Sequence, residues 1–210
     1  MKNFIQAVKF HHDIEVVEAR SKPVDVARNL IVDKFLDSDK DYLLFLDDDH
    51  IGHSMDMLRA LLVIDAPICA IKCYTKVFPY FSNLLQYSGF NSSAVGLPDG
   101  QGKYNPIDLD FGYHYCDLVG FGMTLIKRDL FSKIEKPYFK ADQDGIREDN
   151  YFCEKLLAVG IKPIGCFSYT LEHDGIGREN ARTLREESMN RITGKLAELN
   201  PDCTNFSLIV

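Results

Sequence analysis

The feature that most constrains this chain is the segment 42–50, YLLFLDDDH, in which apolar residues run directly into three aspartates. Residues 42–46 have the length of one strand, and they lack the polar alternation of a half-exposed strand. A strand of this kind is typical of a parallel sheet that helices cover on both faces. We therefore predict an α/β fold: a single Rossmann-like domain with a mostly parallel central sheet flanked by helices.

The three aspartates follow at the carboxyl end of that strand, where open α/β sheets bind ligands. Side chains alternate along an extended segment, so we expect Asp47 and Asp49 to point the same way and Asp48 the opposite way. Two neighbouring carboxylates repel each other unless a cation lies between them, and Mg²⁺ and Mn²⁺ prefer oxygen ligands. The pattern predicts a divalent metal holding a phosphorylated substrate, with a solvated acidic turn as the alternative.

Composition and charge exclude several classes of protein. The chain has 210 residues, 46% of them hydrophobic, which suits one globular domain. Its formal charge of -7 and its lack of a long basic run argue against a nucleic-acid partner. No membrane span or signal-peptide core is recognisable. The six cysteines form no CxxC pair and are predicted to be buried, reduced thiols rather than disulfides or zinc ligands, which indicates a cytoplasmic protein.

Hydrophobic patterns and turn residues predict the other elements. Residues 14–19 are predicted to form a strand, whereas 4–10 fit a helix or a strand equally well. Further helices are expected near 24–35, 55–64, 130–134, 149–159 and 178–199, and further strands at 68–71, 118–126 and 161–171. The excursion 72–116 is rich in Gly, Pro, Asn, Ser and Tyr, so we expect a binding loop there.

Four polar clusters are spread along this pattern: Arg28-Asn29, Asp47 to Asp49, Glu148-Asp149 and His173-Asp174-Gly175. Their order and spacing resemble the GT-A family of nucleotide-sugar glycosyltransferases, of the family 2-like type that contains a DxD motif. The resemblance covers roughly residues 20–177 and combines a DxD on an apolar strand, a later acidic pair on a helix and a histidine beyond it.

The resemblance implies a metal-dependent hexosyltransferase that moves a sugar from a nucleotide sugar to the hydroxyl of a carbohydrate or other acceptor. Inversion is the expectation, because the acidic pair Glu148-Asp149 offers a base, and retention stays open. Mn²⁺ or Mg²⁺, held by Asp47, Asp49 and His173, would neutralise charge on the leaving diphosphate. Asp149, or Glu148 beside it, would accept the proton of the acceptor hydroxyl. The donor, with a UDP-sugar as the first expectation, would contact Arg28, Asn29, Asp47, Asp48 and Lys72.

These assignments have structural alternatives. Arg28 can pair with Asp25 or Asp33 on its own helix, and His173 can be a buried histidine bonded to the backbone. Acids at the start of a helix, such as the pair at 148–149, are stabilised by the helix dipole alone.

Two other functions stay open at this stage. One is a non-catalytic, degenerate domain of the same type that binds sugar or a partner, and the other is a metal-dependent phosphohydrolase. In domain terms, residues 1–177 are predicted to form the catalytic domain, without the first strand usual in the family. Residues 178–210 are predicted to form a helix and tail on the same domain. The tyrosines of the loop 72–116 suggest that it forms the acceptor side.

Overall fold

A computed structural model describes residues 1–20, 22–74, 82–87, 104–107, 109, 111–141 and 147–173, together with the backbone of 207–208. The described residues form four α-helices and one 3-10 helix. The α-helices are α1 (Lys2–His11), α2 (Val24–Asp37), α3 (Met55–Ile64) and α4 (Glu148–Ala158), and the 3-10 helix is Arg128–Ser132. The strands are β1 (Tyr42–Leu46), β2 (His50–Ile51), β3 (Ile68–Cys73), β4 (Leu84–Tyr87), β5 (Tyr104–Pro106), β6 (Tyr113–Tyr115), β7 (Leu118–Val119), β8 (Met123–Lys127), β9 (Ile164–His173) and β10 (Ser207–Leu208).

The main sheet has seven strands, in the order β10-β1-β8-β3-β9-β2, with β6 also pairing with β9. Strand β8 lies between β1 and β3 and runs antiparallel to both. Antiparallel pairing also joins β2 and β6 to β9, whereas β1 with β10 and β3 with β9 are parallel. A smaller sheet, β5-β4-β7, is antiparallel throughout.

The prediction of a mostly parallel, Rossmann-like sheet flanked by helices is therefore wrong. The sheet is mixed and mostly antiparallel, and the described part of the chain supplies four α-helices to it. The error has a physical cause, because an unbroken apolar run reports that both faces of a strand are buried and says nothing about strand direction. Between β3 and β8 the chain makes a long excursion without an α-helix among its described residues, and it returns antiparallel.

The burial of β1 on both faces is confirmed. Leu43 and Phe45 belong to a core cluster that includes residues of α2 and α4. Leu44 and Leu46 belong to a second cluster, with residues of α1 and α3. The polar residues that follow β1 therefore emerge from between two packed layers.

Several predicted elements are confirmed and three are not. The segment 118–126, predicted as one strand, is divided into β7 and β8. Helix α4 ends within one residue of its predicted end, and Gly160 beyond it has the expected left-handed backbone, with φ +75°. Residues 14–19 form no strand in the described structure, although Val17 is buried, because a short segment rich in β-branched residues does not by itself supply a partner strand. The helix near 130–134 is a short 3-10 helix, and residues 4–10 are helical.

Other predictions fall outside the described residues, among them the helix 178–199, most of the loop 72–116 and the residues after His173. Among the residues that are described, no helix combines the length and the apolar character needed to cross a bilayer.

Asn29 on α2 fixes the backbone at residues 138–139. Its side-chain oxygen accepts hydrogen bonds from the N–H groups of Tyr138 (2.9 Å) and Phe139 (3.2 Å). Its amide nitrogen donates to the carbonyls of Phe139 (2.7 Å) and Asp25 (2.8 Å). Because all four hydrogen-bonding positions of the amide are used, Asn29 locks a loop against the helix that carries Arg28.

We predict that Asn29→Ala lowers the free energy of unfolding by about 2–3 kcal/mol, because two backbone N–H groups beside buried rings lose their acceptor. Urea denaturation at neutral pH measures the change. Asn3→Ala, at an exposed position of α1, serves as the matched control and should stay within about 0.5 kcal/mol of the wild type. An equally small effect of Asn29→Ala would show that other contacts hold the loop.

Candidate functional site

The three aspartates lie in a turn between β1 and β2 and not on an extended strand. The N–H of Asp47 donates to the carbonyl of Gly122 (3.3 Å), and the N–H of His50 donates to the carbonyl of Asp47 (3.4 Å). The turn brings ligand atoms of Asp47, Asp49 and His50 within 4.8 Å of one another, whereas Asp48 is exposed. The two carboxylates approach each other as expected, although strand alternation is not the cause.

A buried arginine joins this turn to the start of α4. Arg28, on α2, is only 5% exposed. Its Nη2 donates to both carboxylate oxygens of Asp47, at 3.1 and 3.3 Å, and its Nη1 donates to Oε1 of Glu148 at 2.5 Å. The guanidinium carbon lies 4.7 Å from the centre of the Phe121 ring, which covers it with an electron-rich face.

The expected alternative, a pairing of Arg28 with its own helix, does not occur. Asp33 pairs with Lys136, and Asp25 accepts hydrogen bonds from backbone N–H groups. Arg28 instead reaches two segments that are far apart in sequence, and so the strand end and the acidic helix start lie at one place.

This cluster carries an excess of negative charge. Burial raises the pKa of Asp47, Glu148 and Asp149, and the opposing charge of Arg28 does not cancel the rise. Burial alone would lower the pKa of Arg28, but the charges of Asp47 and Glu148 outweigh it and raise that pKa. Three carboxylates act on the guanidinium of Arg28, Asp49 lies beside Asp47, and Arg147 also opposes the charge of the two acids of α4. A divalent cation would relieve the repulsion between the carboxylates.

The two acids of α4 have different surroundings. Glu148 is engaged by Arg28, and its side chain is 12% exposed. Asp149 accepts a hydrogen bond from the N–H of Asn150 (2.8 Å) and makes no ion pair within the described part of the chain. Its carboxylate is therefore the less constrained of the two, and its raised pKa favours proton uptake.

A second group of side chains lies beside the first. His50 on β2 and His173 on β9 are cross-strand partners, with ring centres 3.8 Å apart. Nε2 of His50 is 3.3 Å from Sγ of Cys73 on β3, and ligand atoms of all three residues lie within 4.8 Å of one another. Three strands of the main sheet thus each contribute one metal-ligating side chain.

Sequence reasoning missed His50 and Cys73 as members of this site. His173 was predicted to share a cation with Asp47 and Asp49, and the structure groups it with His50 and Cys73 instead. His50 ends the DDDH run, which is a usable signal. No sequence signal identifies Cys73 as a site residue, because its position opposite β9 depends on strand register.

Gly122 makes the close packing of His50 possible. A methyl group added at this glycine would lie 2.7 Å from Nε2 of His50 and 2.9 Å from its Cε1. Glycines inside an apolar strand pattern, such as Gly120 and Gly122, indicate the close approach of another backbone or of a ligand. Side chains approach them instead: Asn83 at Gly120 and His50 at Gly122.

Two predicted donor-binding residues face elsewhere. Lys72 is buried and donates to the carbonyl of Leu109 at 3.0 Å. The amide of Asn29 is fully used by backbone groups. The other three predicted donor-binding residues lie near each other: Asp47 and Asp48 belong to the turn, and Arg28 contacts Asp47 from α2. The carboxylate oxygens of the turn suit Mg²⁺ or Mn²⁺.

Comparison with known proteins gives no assignment. No family model and no curated protein matches the chain, whereas eleven chains of solved structures do. One of these is described as the crystal structure of A197 from STIV. It is 22% identical, with 74% of this chain and 70% of that chain covered and a TM-score of 0.48. The comparisons place the chain in no family, so function has to be argued from the site itself.

We expect His53, which packs on the ring of Phe4 with centres 5.8 Å apart, to make the folded protein sensitive to acid. Burial lowers its pKa from 6.5 to about 4. Between these values the unfolded chain binds a proton that the folded chain does not, so the contribution of His53 to stability falls as the pH falls. The difference in free energy of unfolding, wild type minus His53→Gln, should drop by about 1–2 kcal/mol between about pH 7.5 and pH 5.

Urea denaturation in the presence of a chelator at both pH values measures this difference. The buried carboxylates titrate in both proteins, so their effect cancels. His11→Gln, at an exposed position of α1, provides the control. A difference that is the same at both pH values would mean that His53 titrates in the folded protein as it does in the unfolded chain.

Proposed function

We propose that this protein is a metal-dependent glycosyltransferase that moves a sugar from a nucleotide-sugar donor to an acceptor hydroxyl, with inversion at the sugar carbon. The main support for the proposal is that Arg28 forms two ion pairs, one with Asp47 and one with Glu148. They bring the aspartates of the turn and the acids of α4, about a hundred residues apart in sequence, to one place.

The chemistry of such a transfer has two requirements that these residues can meet. The leaving nucleoside diphosphate gains negative charge, and a cation held by Asp47 and Asp49 would neutralise it. The acceptor hydroxyl loses a proton, and a nearby carboxylate must receive it. The four carboxylates outnumber the two guanidinium groups that act on them, Arg28 and Arg147, so a diphosphate needs a further cation to bind there, which is why we propose metal dependence.

We assign the role of general base to Asp149. Glu148 is held by Arg28, and its charge is needed to balance that guanidinium. Burial raises the pKa of Asp149 although the charges of Arg28 and Arg147 oppose the rise, and its carboxylate forms no direct ion pair with a described residue. It lies close enough to the aspartates of the turn for the charge of Asp47 to raise its pKa further.

We also propose that the protein works in the cytoplasm. Cys69, Cys73, Cys116, Cys153 and Cys166 are all buried and free. Free thiols in this number fit a reducing compartment.

We predict that Asp49→Asn abolishes most donor binding and that chelation of divalent cations has the same effect on the wild type. Calorimetry with UDP-, GDP- and CDP-sugars, in Mn²⁺, in Mg²⁺ and in EDTA, measures it. Asp56→Asn, which makes the same change on the exposed face of α3, should bind as the wild type does. Equal affinity in Mn²⁺ and in EDTA would refute metal-dependent donor binding.

A separate prediction concerns the base. Asp149→Asn should lower the rate of sugar transfer by at least ~10²-fold and leave donor affinity nearly unchanged, since a general base contributes at least this much. The rate is measured as nucleoside diphosphate released with an acceptor present. Full activity of Asp149→Asn together with loss in Glu148→Gln would exchange the two roles. Full activity of both variants would exclude a base-assisted mechanism, and release of free phosphate would instead indicate a phosphohydrolase.

A further inference from the structure

The group formed by His50, Cys73 and His173 has a chemistry different from that of the carboxylates beside it. It contains two imidazoles and a sulfur atom, which are ligands for borderline-soft transition metals and poor ligands for Mg²⁺. We propose that these three side chains bind a transition-metal ion of the Zn²⁺ type, at a site distinct from the cation site of Asp47 and Asp49. This proposal does not depend on the proposed glycosyltransferase activity.

Both histidines are oriented as metal ligands usually are. Nδ1 of His173 lies 2.5 Å from the carbonyl oxygen of Tyr74, and a carbonyl can only accept, so Nδ1 carries the proton. Nδ1 of His50 lies 2.9 Å from Oδ1 of Asp49. The hydrogen bond to Tyr74 fixes the tautomer of His173 and leaves its lone pair on Nε2. The carboxylate beside Nδ1 of His50 favours a proton on that nitrogen, which gives the common outer-shell arrangement of histidines that bind zinc.

The spacing of the ligand atoms fits one ion. Zinc binds nitrogen at about 2.0–2.1 Å and sulfur at about 2.3 Å, which puts tetrahedral ligand atoms roughly 3.5 Å apart. Nε2 of His50 and Sγ of Cys73 are separated by 3.3 Å. All three ligand atoms lie within 4.8 Å of one another. A small adjustment of the side chains is therefore enough for all three to bind one ion. Three protein ligands leave a fourth position for water or a substrate atom.

The three side chains of the group lie on paired strands. Each ligand comes from a different strand, and β9 pairs with both of the others. Gly122 leaves the space that the His50 ring occupies, because a side chain there would collide with Nε2. Ligands on neighbouring strands keep their geometry better than ligands on loops, so a preformed site is expected.

Metal binding requires Cys73 to be a thiolate. Its pKa is raised well above the ordinary value by burial and by the charges of Asp47 and Asp49. As the metal–sulfur bond forms, the thiol proton passes to solvent, so one proton is released for each ion bound. Without metal, the thiol can donate to Nε2 of His50 and the group is a buried hydrogen-bonded cluster.

Titration of the metal-free protein with Co²⁺ tests the proposal, because a cobalt–thiolate bond produces a charge-transfer absorption that carboxylate or imidazole ligands do not. We expect the band to saturate at one Co²⁺ per chain. Stoichiometric Zn²⁺ should remove it, and Mg²⁺ in about hundredfold excess should not. Absence of the band in the folded wild type would overturn the proposal.

Matched variants identify the ligands. Cys73→Ser should lose the band, whereas Cys69→Ser should keep it, since Cys69 lies on the same strand and bonds to the carbonyl of Leu61. His173→Gln retains the thiol and should weaken Co²⁺ binding by at least ~10-fold. A band that survives Cys73→Ser, or unchanged affinity in His173→Gln, would refute the site. The absorbance is read without any sugar donor, so failure of the glycosyltransferase proposal leaves this result unaffected.

Discussion

The arrangement of the site depends on one buried guanidinium. Arg28 binds Asp47 and Glu148 and is covered by the ring of Phe121. Removing a partner from a buried ion pair costs about 3–5 kcal/mol, because an uncompensated charge remains in a medium of low polarity. The cost is structural as well as energetic. Without Arg28, the carboxylates at the end of β1 and at the start of α4 would repel each other, and this repulsion would oppose the apolar packing that joins the two segments.

The mixed sheet explains why a second group of ligands lies beside the first. Strand β9 runs parallel to β3 on one side and antiparallel to β2 on the other. His50 directly follows Asp49, the last aspartate of the turn, and its strand β2 pairs with the end of β9. Cys73 and His173 come from the ends of their own strands, so this rim of the sheet collects polar side chains from several elements.

Sequence reasoning predicted those features of the fold and of the site that depend on local pattern. The apolar run of β1, its burial on both faces, the aspartates at its end and the acidic start of α4 all follow from residue type and spacing. Strand direction and register do not, because they are set by contacts between distant segments. For that reason the local pattern predicts a parallel sheet where a mixed one exists, and it predicts only a buried, reduced thiol at Cys73.

His50 lies between the carboxylates of the turn and the thiol of Cys73. Its Nδ1 faces Asp49 and its Nε2 faces Cys73, and the lone pairs of the two ring nitrogens point in different directions, so one ion cannot use both. If Nδ1 donates its proton to Asp49, a cation at the turn is left with carboxylate, phosphate and water oxygens alone. That oxygen set suits Mg²⁺ or Mn²⁺, which keep several waters, whereas the sulfur side suits a softer metal. The contact between Asp49 and His50, with Oδ1 and Nδ1 2.9 Å apart, therefore lies at the boundary between a group of carboxylate oxygens and a group of imidazoles and sulfur, and these ligand types have different metal preferences.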